Sequence, residues 1–477
     1  INICISQVKQ AAGKKKASPV KQKKAEKTGQ KEVDNQKYKL IQTLYLDSYS
    51  YNYYYTILYI GERKVKQTYI IDLGTSMMSS PCFRNNYCGK HKTHYLSDSE
   101  KKSNSPIKCS SKICNMLPSS ECESKEKNKD KKNCGFYFQK SNGDGLKGYY
   151  LDNVVHFEES PKAKAENQKK VYRSFDLPVG CTSVEYGFYK EMKADGVIGL
   201  DNEKNSFISL LYNLKVIDKN LFSLCLGSEG GYMSLGEIET TYHHSKKINY
   251  IALAENSKYY SFYFNGIILG NNKLSFSTKV KAFVDTKKSF SYLPKAIHKS
   301  LIKEFYDFCT SKKGKNKCGK LVSDKDYGYC VDFKDKQTLL KTVNYFWPNI
   351  TLQFNNFNFI WKPINYHSNK GKAIKACLGF KSHQSDKAIL GINFMKGNDV
   401  IFDRYKKSIG IVSADCSRKT ITLNTNKGEL PAATKKKTSP TPAGKKNLKK
   451  EESLLEKIEK SKDEEEYMLI GKTIPII

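Results

Sequence analysis

Two aspartates stand in segments of the same design. Asp72 follows the apolar run Tyr69-Ile70-Ile71 in "TYIIDLGTSMMSSPC" (68–82), and Asp285 follows Ala282-Phe283-Val284 in "AFVDTKKSFSYLP" (282–294). Small hydroxylated residues come next, Thr75 and Ser76 in the first segment and Thr286 and Ser289 in the second. Two loops that each present a carboxylate after a buried strand can meet at a pseudo-twofold axis. Carboxylates held that close cannot both ionise easily, so they share a proton. The ionised one can activate a water while the protonated one polarises a carbonyl. This hydrolytic chemistry needs no metal and no cofactor. A glycine two residues after the aspartate, as at Gly74, lets backbone approach the carboxylate. A threonine beside it, as at Thr286, can hydrogen-bond across the axis. In the second segment the glycine position holds Lys287, followed by Lys288.

The elements that must position these loops read as strands. From about Tyr38 to Cys416, short β-branched and aromatic runs are broken by Gly, Asn, Asp and Ser. Residues 51–74 predict a hairpin turning at Gly61-Glu62, and residues 134–157 another turning at Asn142-Gly143-Asp144-Gly145. Residues 249–276 form a third strand-rich stretch. Helical spacing is confined to 206–217 and 294–310, with Pro294 suited to the first turn of the latter. The two aspartate segments are an internal echo. Each is followed later by an apolar-apolar-glycine run, Val197-Ile198-Gly199 and Ile389-Leu390-Gly391. Two copies of one topology predict two similar lobes.

The net charge of +34 is spread along the chain rather than gathered in one stripe. Residues 1–39, with eleven lysines against three acids, and the charged stretch 418–477 read as tails without a core of their own. No nucleic-acid partner is expected, and a polyanion-binding role is the weakest of the functional readings. Fourteen cysteines without a paired C-x-x-C arrangement argue for disulfides rather than structural zinc, hence for an oxidising compartment. The sequon Asn349-Ile350-Thr351 fits the same compartment. No apolar run is long enough to span a membrane. His91 and His94 lie near Cys82 and Cys88, but a disulfide-clipped loop is the simpler reading than a metal cluster. The glycines of "NGDGLKG" (142–148) lead into a strand rather than a helix, so they do not form a phosphate loop.

Taken together, these motifs resemble the pepsin-family aspartic endopeptidases, in particular the cysteine-rich plasmepsin and nepenthesin-like branch, over about residues 50–416. Asp72-Leu73-Gly74-Thr75-Ser76 falls on the first Asp-Thr-Gly-Ser-Ser motif, with Pro81-Cys82 following, and Val284-Asp285-Thr286 on the second. Cys134 with Gly143, Asp144, Gly145 and Gly148 resembles the flap hairpin, while "FWPNITLQF" (346–354) and residues 389–416 resemble the end of the second lobe. The resemblance implies a mostly β, two-lobed fold with a cleft between the lobes. The expected N-terminal lobe is 40–236, with Asp72 and the flap, and the C-terminal lobe is 237–417, with Asp285. Residues 1–39 are a basic tail or prosegment and 418–477 a charged tail. It also implies Asp72 and Asp285 as the catalytic pair, a Cys330–Cys377 disulfide, a peptide or protein substrate in the cleft, and a place in the secretory pathway, endoplasmic reticulum lumen, vacuole or extracellular space.

The chain departs from the family pattern at the chemistry. Leu73 replaces a threonine, Lys287 a glycine and Lys288 a threonine, and Asn142 stands where a flap tyrosine is expected. A Cβ at Lys287 is expected to strain the loop if its geometry is kept, by roughly 1–3 kcal/mol, and an ammonium beside the pair to favour two ionised aspartates. The expectation is therefore a family member with impaired or absent hydrolysis. The alternative is a non-catalytic pseudoprotease with a peptide-binding or structural role.

Overall fold

The computed structural model describes residues 40–417 apart from 48–52, 97–105, 123–131, 159–170, 275, 277–278, 312–316, 326 and 370–373. Both expected tails lie outside the described residues. The chain is mostly strands, as expected, in a pepsin-like arrangement. One sheet has fourteen strands, one has five and two have four.

The internal echo is a repeated strand arrangement. In the first half, Val65–Asp72 runs parallel to Gly196–Gly199, placing Asp72 opposite Gly199. Gly196–Gly199 pairs antiparallel with Met78–Ser80, which runs parallel to Tyr172–Tyr186. In the second half, Val280–Val284 runs parallel to Ala388–Leu390, with Val284 opposite Leu390. Ala388–Leu390 pairs antiparallel with Ser291–Pro294, which runs parallel to Phe380–His383. Each aspartate thus leaves its strand at the same place in the same four-strand order.

The two echoed glycines explain why the pattern is legible. A Cβ on Gly199 would lie 2.4 Å from the Thr75 carbonyl oxygen. One on Gly391 would lie 2.3 Å from the carbonyl oxygens of both Lys288 and Phe290. Only glycine lets each aspartate loop pack this closely on the neighbouring strand. The loops are then tied by backbone: Leu200 N–H donates to Asp72 O at 2.9 Å, and Ile392 N–H to Lys288 O at 2.7 Å.

Both predicted hairpins form. Tyr53–Ile60 pairs with Val65–Asp72 around Gly61, and Gly135–Gln139 with Gly145–Glu158 around Gly143 at φ +87°. The helix Phe207–Asn213 buries all but its last two residues, and Lys295–Thr310 buries Ile297, Leu301, Phe305 and Cys309 on one stripe. Pro294 sits just before the latter helix rather than in its first turn, because it also ends the strand Ser291–Pro294. The helix Lys336–Phe346 was not anticipated. It is capped by Asp335, whose carboxylate accepts the Thr338 N–H, and it buries only Leu339 and Val343.

The large sheet is not confined to residues 40–236. Leu221–Leu226 pairs antiparallel with Asn398–Asp403, which pairs with Ser408–Ser413. Phe222 and Phe402 stack across that seam at 4.6 Å. Burying such rings contributes about 1.5–3 kcal/mol each.

Among the described residues, six disulfides pair Cys82–Cys181, Cys109–Cys122, Cys114–Cys134, Cys225–Cys416, Cys309–Cys318 and Cys330–Cys377. Such a framework is consistent with the secretory pathway or the extracellular space. Among the described residues Cys88 is a buried cysteine outside any disulfide. No helix among the described residues is long and apolar enough to cross a membrane.

Candidate active site

Asp72 and Asp285 are brought to one site. The connection is direct but one-sided: the Thr286 hydroxyl donates to Ile71 O at 2.7 Å and accepts the Leu73 N–H at 3.1 Å. Leu73 has no hydroxyl with which to return the pair of bonds. Thr75 is buried, and its hydroxyl has no partner among the described residues.

Asp72 is fully buried. Its Oδ1 accepts the Gly74 N–H at 2.7 Å and its Oδ2 accepts the Tyr189 hydroxyl at 2.7 Å. Two ammonium groups face that same Oδ2, Lys287 Nζ at 3.6 Å and Lys140 Nζ at 3.8 Å. Burial by itself pushes the Asp72 carboxyl up. The two lysines and the two hydrogen bonds overcome it and hold the group at about 2. Burial and the neighbouring Asp72 charge push the Asp285 carboxyl up, against the Lys287 N–H and the two ammoniums. The two carboxyls therefore remain unlike. Lys140 and Lys287 lower both carboxyls, but at Asp285 burial and the Asp72 charge outweigh them.

Lys287 does not strain its loop. Its φ is not among the positive values, and its backbone N–H donates to Asp285 Oδ1 at 2.9 Å, as Gly74 does to Asp72. The expected backbone cost is absent because the loop uses the N–H here, and a Cβ does not block it. At Gly74 a Cβ would lie 2.6 Å from Lys140 Nζ, the mobile end of a long side chain, and 3.2 Å from Asp72 Oδ1. The Lys287 side chain reaches inward rather than to solvent. It bonds Asp144 Oδ2 at 3.3 Å and lies over the rings of Tyr189 and Phe188 at 4.8 and 5.1 Å. Burial pulls the Lys287 ammonium down, but the carboxylates of Asp72, Asp144 and Asp285 more than offset this and raise it. Lys140, desolvated and beside Lys287, is lowered despite Asp72.

The hairpin 135–158 brings Lys140, Asn142 and Asp144 to the cavity that Asp285 also lines. Asn142 is exposed at its tip and donates to Asp144 Oδ2 at 3.0 Å. Asp144 is buried, and its Oδ1 accepts the Phe188 N–H at 2.9 Å. That contact needs Gly187, at φ +56°, where a Cβ would lie 2.5 Å from Asp144 Oδ1. Gly143 holds the tight turn, and Gly145 begins the return strand with no room for a Cβ against Phe138 O. A cavity of about 580 Å³ opens here, lined by Gly74, Lys140, Asn142 and Asp144 from one half and by Asp285, Lys287 and Lys288 from the other.

Lys140, Tyr189 and Phe188 were not singled out from the sequence. Tyr189 reaches Asp72 across 117 residues, a distance that no local pattern records. Of the remaining candidates, Asn349 is exposed in the turn before Ile350–Gln353, and Cys330 and Cys377 are opposite residues on paired strands. His91 serves structure: its ring nitrogens lie 2.7 Å from Glu185 Oε2 and 2.9 Å from Ala194 O, and Cys82 is in a disulfide.

Residues 54–237 match the family model "Xylanase inhibitor N-terminal", and residues 176–414 match "Eukaryotic aspartyl protease". The chain is 25% identical to Plasmepsin V of Plasmodium falciparum over 468 residues, covering 80% of this chain and 73% of that protein. It is also 25% identical to Aspartic proteinase-like protein 1 of Arabidopsis thaliana, covering 77% and 68%. Among solved structures, conglutin gamma from lupine seeds superposes with a TM-score of 0.59 at 16% identity, covering 80% of this chain and 96% of that one, a likeness of fold alone. With two echoed aspartate loops and a protease model matched over half its length, the chain belongs to the eukaryotic aspartyl protease family, in its plasmepsin and nepenthesin-like branch.

Proposed function

We propose that this protein binds an extended peptide in the cavity beside Asp72 and Asp285 and hydrolyses it poorly or not at all. In this reading residues 40–236 and 237–417 are two lobes facing each other across the cavity, and the hairpin around Asn142–Gly145 covers the bound peptide. The observation that carries the reading is the crowding of Asp72 Oδ2 by three donors: Tyr189 at 2.7 Å, Lys287 at 3.6 Å and Lys140 at 3.8 Å. Hydrolysis needs a water whose proton passes to one carboxylate while the other polarises the scissile carbonyl. The Asp72 oxygen that would take that proton is already engaged by the Tyr189 hydroxyl and faced by the Lys287 and Lys140 ammoniums. General acid–base catalysis contributes about 10²–10⁴-fold, which is the scale of the expected loss. One matched family model is named for an inhibitor, which supports a non-hydrolytic use of this fold. The disulfides favour the endoplasmic reticulum lumen, a vacuole or the extracellular space as its site of action.

A second reading, an active endopeptidase, has one observation in its favour: Asp285 is raised while Asp72 is lowered, the division of roles that an acid and a base require. Incubating the protein with a peptide library across acidic and neutral pH separates the two. Binding without cleavage, surviving Asp72→Asn with Asp285→Asn, is expected. Cleavage abolished by either substitution would establish the second reading instead.

A further inference from the structure

The cavity beside the aspartates carries more positive charge than its own carboxylates can neutralise. Four lysines line it: Lys140, Lys258, Lys287 and Lys288. The acidic groups facing them are Asp144 and Asp285 in the lining and Asp72 behind it. Lys140 and Lys287 sit at the floor and are engaged there, both with Asp72 and the latter also with Asp144. Lys258 and Lys288 are different. Neither has a carboxylate partner among the described residues. Each lies against an aromatic ring, Lys258 5.2 Å from the centroid of Tyr259 and Lys288 5.5 Å from that of Tyr292. In each the ammonium itself lies over the ring, which positions it while leaving its remaining N–H donors to meet a ligand. Tyr259 in turn stacks on Phe283 at 5.0 Å, giving a flat apolar wall next to the charges.

A ligand that neutralises this surplus must bring anionic groups spaced along an elongated body that can lie between the hairpin and the two aspartate loops. Lys258 is exposed and Lys288 half-buried, so a basic segment would meet like charge here, whereas an acidic one gains two partly exposed ion pairs. We propose that the cavity selects acidic peptide segments, with Lys258 and Lys288 as the residues that recognise their Glu or Asp side chains. This inference rests on the peptide-binding reading above and assigns it a substrate class. The Asp72 lock makes the preference a binding preference first, since it acts whether or not the peptide is cut.

The test uses the full chain and three labelled octapeptides of one sequence carrying Glu, Gln or Lys at two central positions, with binding followed by fluorescence anisotropy. The Glu peptide is expected to bind about tenfold more tightly than the Gln peptide at low salt, the sum of two partly exposed pairs, with the Lys peptide weakest. The advantage is expected to shrink in high salt and to vanish in Lys258→Gln with Lys288→Gln. Lys258→Glu with Lys288→Glu is expected to reverse the order and favour the Lys peptide, an outcome that misfolding cannot produce. Equal binding of all three peptides, or an order unchanged in the charge-reversed protein, would overturn the acidic preference while leaving peptide binding intact. Binding of none of them would overturn the peptide-binding reading and this inference with it.

Discussion

Replacing Lys287 by glycine and Lys140 by glutamine is expected to release hydrolysis. Asp72 is held at about 2 rather than 3.8 although it is completely buried, a net preference for the anion of roughly 2 kcal/mol. Without the two ammoniums, burial is opposed only by the hydrogen bonds from Tyr189 and Gly74, so the carboxyl becomes a stronger base. Lys287→Gly keeps the backbone N–H that bonds Asp285 Oδ1 at 2.9 Å, so the loop is preserved while the cation leaves. Lys140→Gln removes the second cation and keeps a polar chain of similar length. With both ammoniums gone from Oδ2, that oxygen can take a proton from water, and the double variant is expected to gain about 10–100-fold in kcat/KM. The assay is cleavage of a quenched fluorogenic peptide library across acidic to neutral pH, with each single variant alongside. A gain of activity cannot arise from unfolding, so it reports the lock itself. A folded double variant with hydrolysis no different from the parent, whether both are active or both inert, would refute the argument that these cations block the site.

Other expectations follow from single interactions. Thr286→Val leaves the Leu73 N–H and the Ile71 carbonyl without the bonds they now make with the hydroxyl; it is expected to destabilise the protein by about 1–3 kcal/mol in urea denaturation. Burial pushes Asp201 up to about 6, against hydrogen bonds from Ser76 and the Glu203 N–H. The folded form therefore holds that proton more tightly than the unfolded chain, and stability falls as pH rises from about 4 through 6, by roughly 3 kcal/mol. Asp201→Asn is expected to flatten this decline in a series of Tm measurements. Cys225–Cys416 closes 191 residues, for which loop entropy gives about 5 kcal/mol and measured losses commonly reach about 2–5 kcal/mol. The Cys225→Ala, Cys416→Ala pair is expected to lower the denaturation midpoint accordingly.

Much of the fold was legible because the sequence repeats its demands. Ile71-Asp72 and Val284-Asp285 each need a strand that ends in a carboxylate. Gly199 and Gly391 are each forced by carbonyl oxygens closer than a Cβ allows, so both positions carry a legible glycine. The hairpins at Gly61 and Gly143 carry their turn chemistry locally. The helix Lys336–Phe346 was missed because it buries only Leu339 and Val343, too few apolar positions to set a period. At the site, the two aspartates and Lys287 were legible from motif position. The direction of the Lys287 side chain was not, since it depends on Asp144, Phe188 and Tyr189 arriving from distant segments. Lys140 was missed for the same reason. It reads as one of many lysines until the fold brings its ammonium 3.8 Å from Asp72 Oδ2. The expected strain at Lys287 failed because it assumed that the family glycine is needed for its conformation, whereas here the loop needs only its N–H.

The central claim is that Lys140 and Lys287 hold Asp72 as a weakly basic anion while Asp285 keeps the more acid-like role. Following the side-chain carboxyl carbons of Asp72 and Asp285 by ¹³C NMR as the pH is lowered tests it most directly, with Asp72→Asn and Asp285→Asn giving the assignments. The expected result is Asp72 ionised down to about 2, with Asp285 protonating above the ordinary carboxylate range. Asp72 titrating at or above its ordinary value, or the two carboxyls exchanging one proton as a matched pair, would contradict the account.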